Sequence, residues 1–241
     1  MVRLGVNVDH IATLRNARGE AFPNVIEAAL IAETNGADLI TAHLREDRRH
    51  IKDEDIILLK QALKTQLNLE MAATPAMVEF ALEVKPDYVC LVPEKRAELT
   101  TEGGLDVVGN FDGLSDIIKT LHDNNIKVSL FIDPDIEQIT ASREANAYAI
   151  EIHTGQYASI KCAPQLSDEF YRIKDMVELA DSLDLVVNAG HGLNYHNVQA
   201  IARLPQIHEL NIGFAIIAQS VMWGLPKAVS HMKHLMLSER K

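Results

Sequence analysis

Eight short apolar runs, each followed by a longer stretch of helical character, limit the folds open to this chain of 241 residues. The runs fall at 2–8, 38–42, 67–70, 87–92, 127–132, 147–152, 184–188 and 208–212. Apolar residues recur at spacings of three and four over 24–35, 53–65, 75–84, 112–124, 135–144, 167–182 and 194–203, which gives a helix one apolar face. Thr74-Pro75 and Asp133-Pro134 read as helix starts, because proline at the first helical position lacks only an N–H that would be unpaired anyway. Strand–helix alternation implies parallel strands covered by helices, and short apolar strands fit burial on both faces. Eight units in about 225 residues match the closed α/β architecture of the (β/α)8 TIM barrel. An open doubly wound sheet is the main rival, but such sheets usually carry a glycine-rich turn after the first strand. Here the first run continues into Asn7-Val8-Asp9-His10-Ile11, with no GxGxxG. No linker or low-complexity segment divides the chain, so one barrel domain over 1–241 is expected, with 226–239 as an additional terminal helix.

Composition narrows the function. The chain is 47% hydrophobic and 24% charged, an ordinary globular balance. Its apolar runs fall far short of the roughly 18 residues a membrane-spanning helix needs, and no basic-then-apolar leader opens it. Cys90 and Cys162 form neither CxxC nor a metal-ligand spacing, which points to a reduced, cytoplasmic setting. A net charge of −11 disfavours nucleic acid as a partner, since such binders present a basic face. Arg15, Arg18, Arg45, Arg48 and Arg49 nevertheless crowd into 10–18 and 43–50. Local positive charge on an acidic chain points to a small anionic ligand, with solvated surface arginine as the plain alternative.

In a closed barrel the site lies at the C-terminal ends of the strands. Those ends carry Asn7, Asp9 and His10; His43 and Arg45, with His50 further on; Glu70; Glu94, Lys95 and the Thr100–Gly104 stretch; Glu151 and His153; Asn188 to Gly192; and Asn211 to Phe214. Histidines titrate near neutrality, so a convergent set with carboxylates can move protons in both directions. Gly190, Gly192 and Gly213 sit where barrels often bind phosphate on backbone N–H groups, and glycine also serves plain turns. Metal chemistry competes, because histidine and carboxylate are good ligands, but the chain has no HExxH. The long connection at 93–111, with its Gly103-Gly104 pair, is a candidate to order over bound substrate, as is the loop after the second strand.

Several runs carry a specific likeness. They are Val6 to Arg15, Thr41 to Ile51, Val92 to Arg96, Thr100 to Val107, Asn188 to Tyr195 and Glu209 to Gly213. Together they resemble the pyridoxine 5′-phosphate synthase family across nearly the whole chain. The resemblance implies a (β/α)8 barrel with additional helices, an octamer, and no metal or organic cofactor. It implies condensation of 1-deoxy-D-xylulose 5-phosphate with 3-amino-2-oxopropyl phosphate to pyridoxine 5′-phosphate, with release of phosphate and water. By matching motif, His43 and Glu70 stand for proton acceptors, His191 for the proton donor and Glu151 for a transition-state stabiliser. Asn7, Arg18, Gly192, Gly213 and Phe214 match contacts to the amino-ketone phosphate. Asp9, His10, Arg45, His50 and Thr100 match contacts to the sugar phosphate. From the residues alone three alternatives stand beside this: a barrel enzyme acting on one sugar phosphate, a histidine-rich metallohydrolase, and a non-catalytic phosphometabolite binder.

Overall fold

The computed structural model describes residues 1–94 and 103–240. Eight parallel strands close into a barrel in chain order: β1 (Arg3–Asn7), β2 (Leu39–His43), β3 (Gln66–Met71), β4 (Tyr88–Leu91), β5 (Lys127–Ile132), β6 (Ala149–His153), β7 (Val186–Gly190) and β8 (Ile207–Ile212). The helices are α1 (Asp9–Arg18), α2 (Val25–Thr34), α3 (Asp53–Ala62), α4 (Pro75–Val84), α5 (Phe111–Asp123), α6 (Ile136–Glu144), α7 (Gly155–Ser159), α8 (Ala163–Ser182), α9 (Val198–Ala202), α10 (Phe214–Trp223) and α11 (Leu225–Ser238). The first and last strands pair in register from Arg3 opposite Glu209 to Val6 opposite Ile212.

Alternation along each strand sorts the side chains. Leu4, Val6, Ile40, Leu69, Leu91, Leu130, Ile150 and Leu210 point outward and join one buried cluster with the inner faces of the helices. Each such side chain contributes about 1.5–3 kcal/mol by leaving water. The main apolar core therefore lies between sheet and helices. The residues between them point inward and are largely polar: Thr41, Asn68, Ser129, Glu151, Asn188, Glu209 and Asn211 are all buried. Among the described residues a small apolar group, Cys90, Val92 and Phe131, forms a separate cluster.

The helices differ from the sequence reading in informative ways. The segment after β1 was expected only as a site motif; it is α1, which starts one residue past Val8. Helix α6 is capped by Asp135, whose side chain accepts from the N–H groups of Glu137 and Gln138. Asp133, expected near that start, is engaged elsewhere. The expected helix at 194–203 contracts to α9, and the one at 167–182 extends back to Ala163. Among the described residues no helix is long and apolar enough to cross a membrane.

Candidate active site

A cavity of about 920 Å³ opens at the C-terminal ends of the strands. Asn7, Asp9, His10, His43, Arg45, His50 and Glu70 line one part of it, and Glu151, His191, Gly192, Gly213 and Phe214 another. Of the expected site residues that the structure describes, one is not brought there. Arg18 lies exposed at the end of α1 and does not line the cavity of the single chain. Thr100 lies outside the described residues, as do Lys95, Thr101 and Glu102.

The five clustered arginines separate by role. Arg15 grips Asp55 through two bonds of 2.6 and 2.8 Å and donates to the His50 carbonyl at 3.1 Å. It thereby props the loop after β2 from below. Arg48 makes a similar fork to Asp53, at 3.0 and 2.8 Å. Arg45 and Arg49 line the cavity, and Arg49 also grips Asp47 through two bonds of 2.9 and 2.6 Å.

One hydrogen-bond network joins the ends of β1, β2 and β3. The Asn7 amide donates to Asp9 Oδ2 at 2.8 Å and to Glu70 Oε2 at 3.4 Å. Asp9 Oδ1 accepts from the His43 backbone N–H at 2.8 Å. The His43 ring bonds Glu94 through Nε2, at 2.9 Å, in a pair whose side chains are almost wholly buried. Burial opposes a charge on Glu94, but the His43 bond and the Glu46 N–H hold its carboxyl below the ordinary range. An ionised Glu94 assigns the ring proton to Nε2 and leaves Nδ1 as the basic nitrogen. Glu70 behaves in the opposite way. Burial, reinforced by Asp9 and Glu151, pushes its carboxyl well above the ordinary range.

The other part of the cavity rests on a strained turn. His191 has φ of 77° and Gly192 of 82°. A histidine there stores on the order of 1–3 kcal/mol, and the turn is held by Thr154, whose single O–H is shared between the carbonyls of Gly190 and His191, each 2.7 Å away. Gly192 must be glycine on two counts, since a Cβ would also lie 2.6 Å from Ala158 Cβ. Burial, with help from His153, lowers the His191 pKa to about 4. The His153 ring stands edge-on to that of His191, centroids 5.0 Å apart, and bonds Asp133 through Nδ1 at 2.9 Å. Asp133 also accepts from the Gly104 N–H at 3.1 Å. Gly104 sits hard against the backbone, where a Cβ would fall 2.1 Å from Asp133 N. Close packing, rather than hinge freedom, is the reason for glycine at this position.

Gly213 precedes α10, whose first turn faces the cavity through Phe214 and Ala215. The first N–H groups of a helix have no partner within it and favour an anion. Gly213 has an ordinary negative φ of −114°. Its lack of a side chain makes room for Asn7, 3.0 Å from where a Cβ would be.

Sequence reasoning passed over three contributors. Glu94 stood among the strand-end residues without a role, Arg49 among the clustered arginines, and Asn211 among the polar ends. Their partners, Glu94 with His43 and Asn211 with Glu151, lie tens of residues away, so no local pattern marks them. Among the described residues one trio could hold a metal: Asp9, His43 and Glu70 offer ligand atoms within 4.8 Å of one another. All three groups are already engaged, Asp9 with Asn7 and the His43 backbone, the His43 ring with Glu94, and Glu70 with Asn7.

A family model described as pyridoxal phosphate biosynthesis protein PdxJ matches residues 4–238. A pyridoxine 5′-phosphate synthase of Pseudoalteromonas translucida is 56% identical over 239 residues, covering 99% of this chain and 98% of that protein. One from Neisseria meningitidis serogroup A is 55% identical over 237 residues, covering 98% of each. Among solved structures, KGPDC from Streptococcus mutans superposes with a TM-score of 0.67 at 13% identity, over the full length of both chains. A phosphoribosylanthranilate isomerase from Thermotoga maritima gives a TM-score of 0.64 at 11% identity, covering 99% of this chain and 100% of that one. At such identity the two structures share the barrel alone. The match over nearly the whole sequence, with relatives more than half identical, places the chain in the PdxJ family of pyridoxal phosphate biosynthesis proteins.

Proposed function

We propose that this chain is an enzyme of vitamin B6 biosynthesis that makes pyridoxine 5′-phosphate from 1-deoxy-D-xylulose 5-phosphate and 3-amino-2-oxopropyl phosphate. Family membership supports the activity. The observation that carries the site assignment is the convergence of His43, Glu70, Glu151 and His191 on one cavity.

The reaction explains those residue types. The substrate amine must lose a proton before it attacks the sugar ketone, and the carbinolamine must then lose water. Enolisation, phosphate elimination, water addition and ring closure follow, and each step moves a proton. His43, with Nε2 tied to Glu94, presents Nδ1 as a base. Glu70, held neutral by burial, can give a proton and take it back. His191 enters as neutral imidazole, and an arriving phosphate dianion raises its pKa and loads it with a proton. Glu151 faces the reacting atoms as the stabilising carboxyl group. The amine comes from one substrate, so no enzyme lysine is required.

Two phosphate esters call for two anion-binding regions. Arg45 and His50, with Asp9 and His10, form the sugar-phosphate side. Asn7, Gly192, Gly213 and Phe214 form the amino-ketone side, where the first turn of α10 meets the anion. Thr100 and Arg18 belong to the reading by motif; the cavity of one chain gives Arg18 no contact.

The same reading has the whole chain acting as one cytoplasmic barrel domain within a homo-octamer. Self-association is supported by apolar side chains left exposed on neighbouring elements, namely Leu14 at 50%, Phe22 at 75%, Val221 at 72% and Met222 at 80%. The test is an assay with both substrates. Pyridoxine 5′-phosphate and inorganic phosphate are expected in equal amounts. Turnover of a single sugar phosphate without the amine would point instead to an isomerase or aldolase.

A further inference from the structure

Below the acid–base groups the barrel interior holds polar side chains that the reaction above leaves unused. Glu209 belongs to a run that resembles the family yet has no role assigned. It is buried, 4% exposed, and its nearest cation is Arg3, at 3.6 Å. Asn211, two residues on, shares its inward face. The Thr41 hydroxyl donates to Asn211 Oδ1 at 2.8 Å, which turns the amide nitrogen the other way. That nitrogen donates to Glu151 Oε2 at 2.8 Å and to Glu209 Oε1 at 3.4 Å. One amide thus bridges two buried carboxyl groups from different strands.

Two glycines make the bridge possible. A Cβ at Gly5 would lie 1.9 Å from Asn211 Oδ1, and one at Gly190 would lie 2.1 Å from Glu151 Oε1. Neither glycine has a positive φ, so the space is their purpose.

We propose that Asn211 is a positioning residue for Glu151, and that Glu151 and Glu209 hold a shared proton across its amide. This rests on the reading of Glu151 as the carboxyl group that faces substrate. Two ionised carboxylates bridged by one neutral amide would be expensive so far from water. Burial raises both, Glu151 to about 8 and Glu209 to about 7. The charged or titratable groups around Glu209 are Arg3 on β1, and Asp38 and Lys233 at the far end of the barrel. Those near Glu151 are Glu209, Glu70 on β3 and the buried thiol of Cys90 on β4. Of all these only Arg3 and Lys233 are cationic, and both lie on the Glu209 side. Any negative charge therefore settles on Glu209, and Glu151 meets the substrate as a neutral acid that can donate a hydrogen bond to oxygen developing charge.

The experiment has two arms on the full-length enzyme. In the resting protein, without substrate, infrared difference spectroscopy should show a protonated carboxyl band at neutral pH that is lost in Glu151→Gln. In Glu209→Gln the same band should titrate away at lower pH, because the neighbouring negative charge is gone. The alkaline limb of kcat/KM should move the same way, by on the order of one pH unit. Asn211→Ala should lower kcat about 10–100-fold with little change in KM, and Gly5→Ala, which displaces the amide sterically, should do the same. No protonated band at neutral pH that Glu151→Gln removes, or identical pH behaviour of that band in wild type and Glu209→Gln, would overturn the shared proton. A folded Asn211→Ala enzyme with unchanged kcat would overturn the positioning role. Full activity in Glu151→Gln would instead remove the underlying reading while leaving the infrared result standing. If Asn211→Ala does not fold, Gly5→Ala and the wild-type spectrum still decide.

Discussion

His43 and His191 stand at opposite sides of one cavity and are prepared in opposite ways. His43 has a buried carboxylate partner, Glu94, on its Nε2. Among the described residues His191 has no carboxylate partner; it is buried next to another imidazole, His153, and its pKa falls to about 4. Asp133, the carboxylate on that side, is spent on His153. The β1–β4 side is therefore a hydrogen-bonded network in which one imidazole, that of His43, is tied to a carboxylate while Glu70 is held neutral by burial. The β5–β8 side is a desolvated region that holds neutral groups, Glu151 among them. Under the proposed reading, a ring-closing sequence that alternates proton removal and proton delivery uses both environments, and one residue type would serve both because its surroundings differ.

The severest break of this contrast is to remove the titratable groups of the β1–β4 side. His43→Ala and Glu70→Gln are expected to fold normally and to lose ~10²–10⁴-fold in turnover. Near-wild-type rates in either variant would reject a catalytic role, and a large fall in melting temperature would favour a structural one. A narrower change is Glu94→Gln, which keeps the shape and removes the charge. The lost charge-assisted bond should reduce kcat/KM by about 10–100-fold. Asp133→Asn, one imidazole further from the chemistry, should cost less. Equal losses in the two variants would mean that the two sides are not built differently.

Gly213→Ala should weaken binding of 3-amino-2-oxopropyl phosphate by a few-fold, because a methyl group 3.0 Å from Asn7 Cβ crowds the approach to the first turn of α10. Calorimetric titration reads this directly. Unchanged affinity with lowered stability would leave Gly213 a packing role only, and would move the phosphate to Arg45 and Arg49.

Smaller effects report on the buried carboxyl groups. Glu209 has its folded pKa raised to about 7 by burial. Its contribution to stability is complete below the unfolded value of about 4.3, and is lost as pH rises through about 7. The native state binds the extra proton in that window, so stability falls with rising pH. Melting temperature should decline between about pH 5 and pH 8, and less steeply in Glu209→Gln. Parallel curves would show that Glu209 does not titrate there. The smallest effect expected is none: a chelator should leave turnover unchanged. Loss of activity with recovery on adding a divalent cation would convert Asp9, His43 and Glu70 from a proton network into ligands.

Strand number, strand order and the rim that carries the site were legible along the chain, because periods of two and 3.6 are local properties of a backbone. Most of the cavity residues were legible for the same reason, since the barrel rule turns position in the chain into position in space. Helix α1 was hidden because the motif that opens it, Asp9 to Arg15, is also the one that carries chemistry. The inward polar layer was written in the sequence as alternation, Asn68 and Glu70 between Leu67, Leu69 and Met71, or Glu209 and Asn211 between His208, Leu210 and Ile212. Its meaning waited on closure of the barrel. Which carboxyl group stays neutral, which imidazole gains a carboxylate, and why Gly5, Gly190 and Gly213 bear no side chain depend on groups that meet across many tens of residues. Burial and charge act through space at a few ångströms, and only the tertiary structure sets those distances.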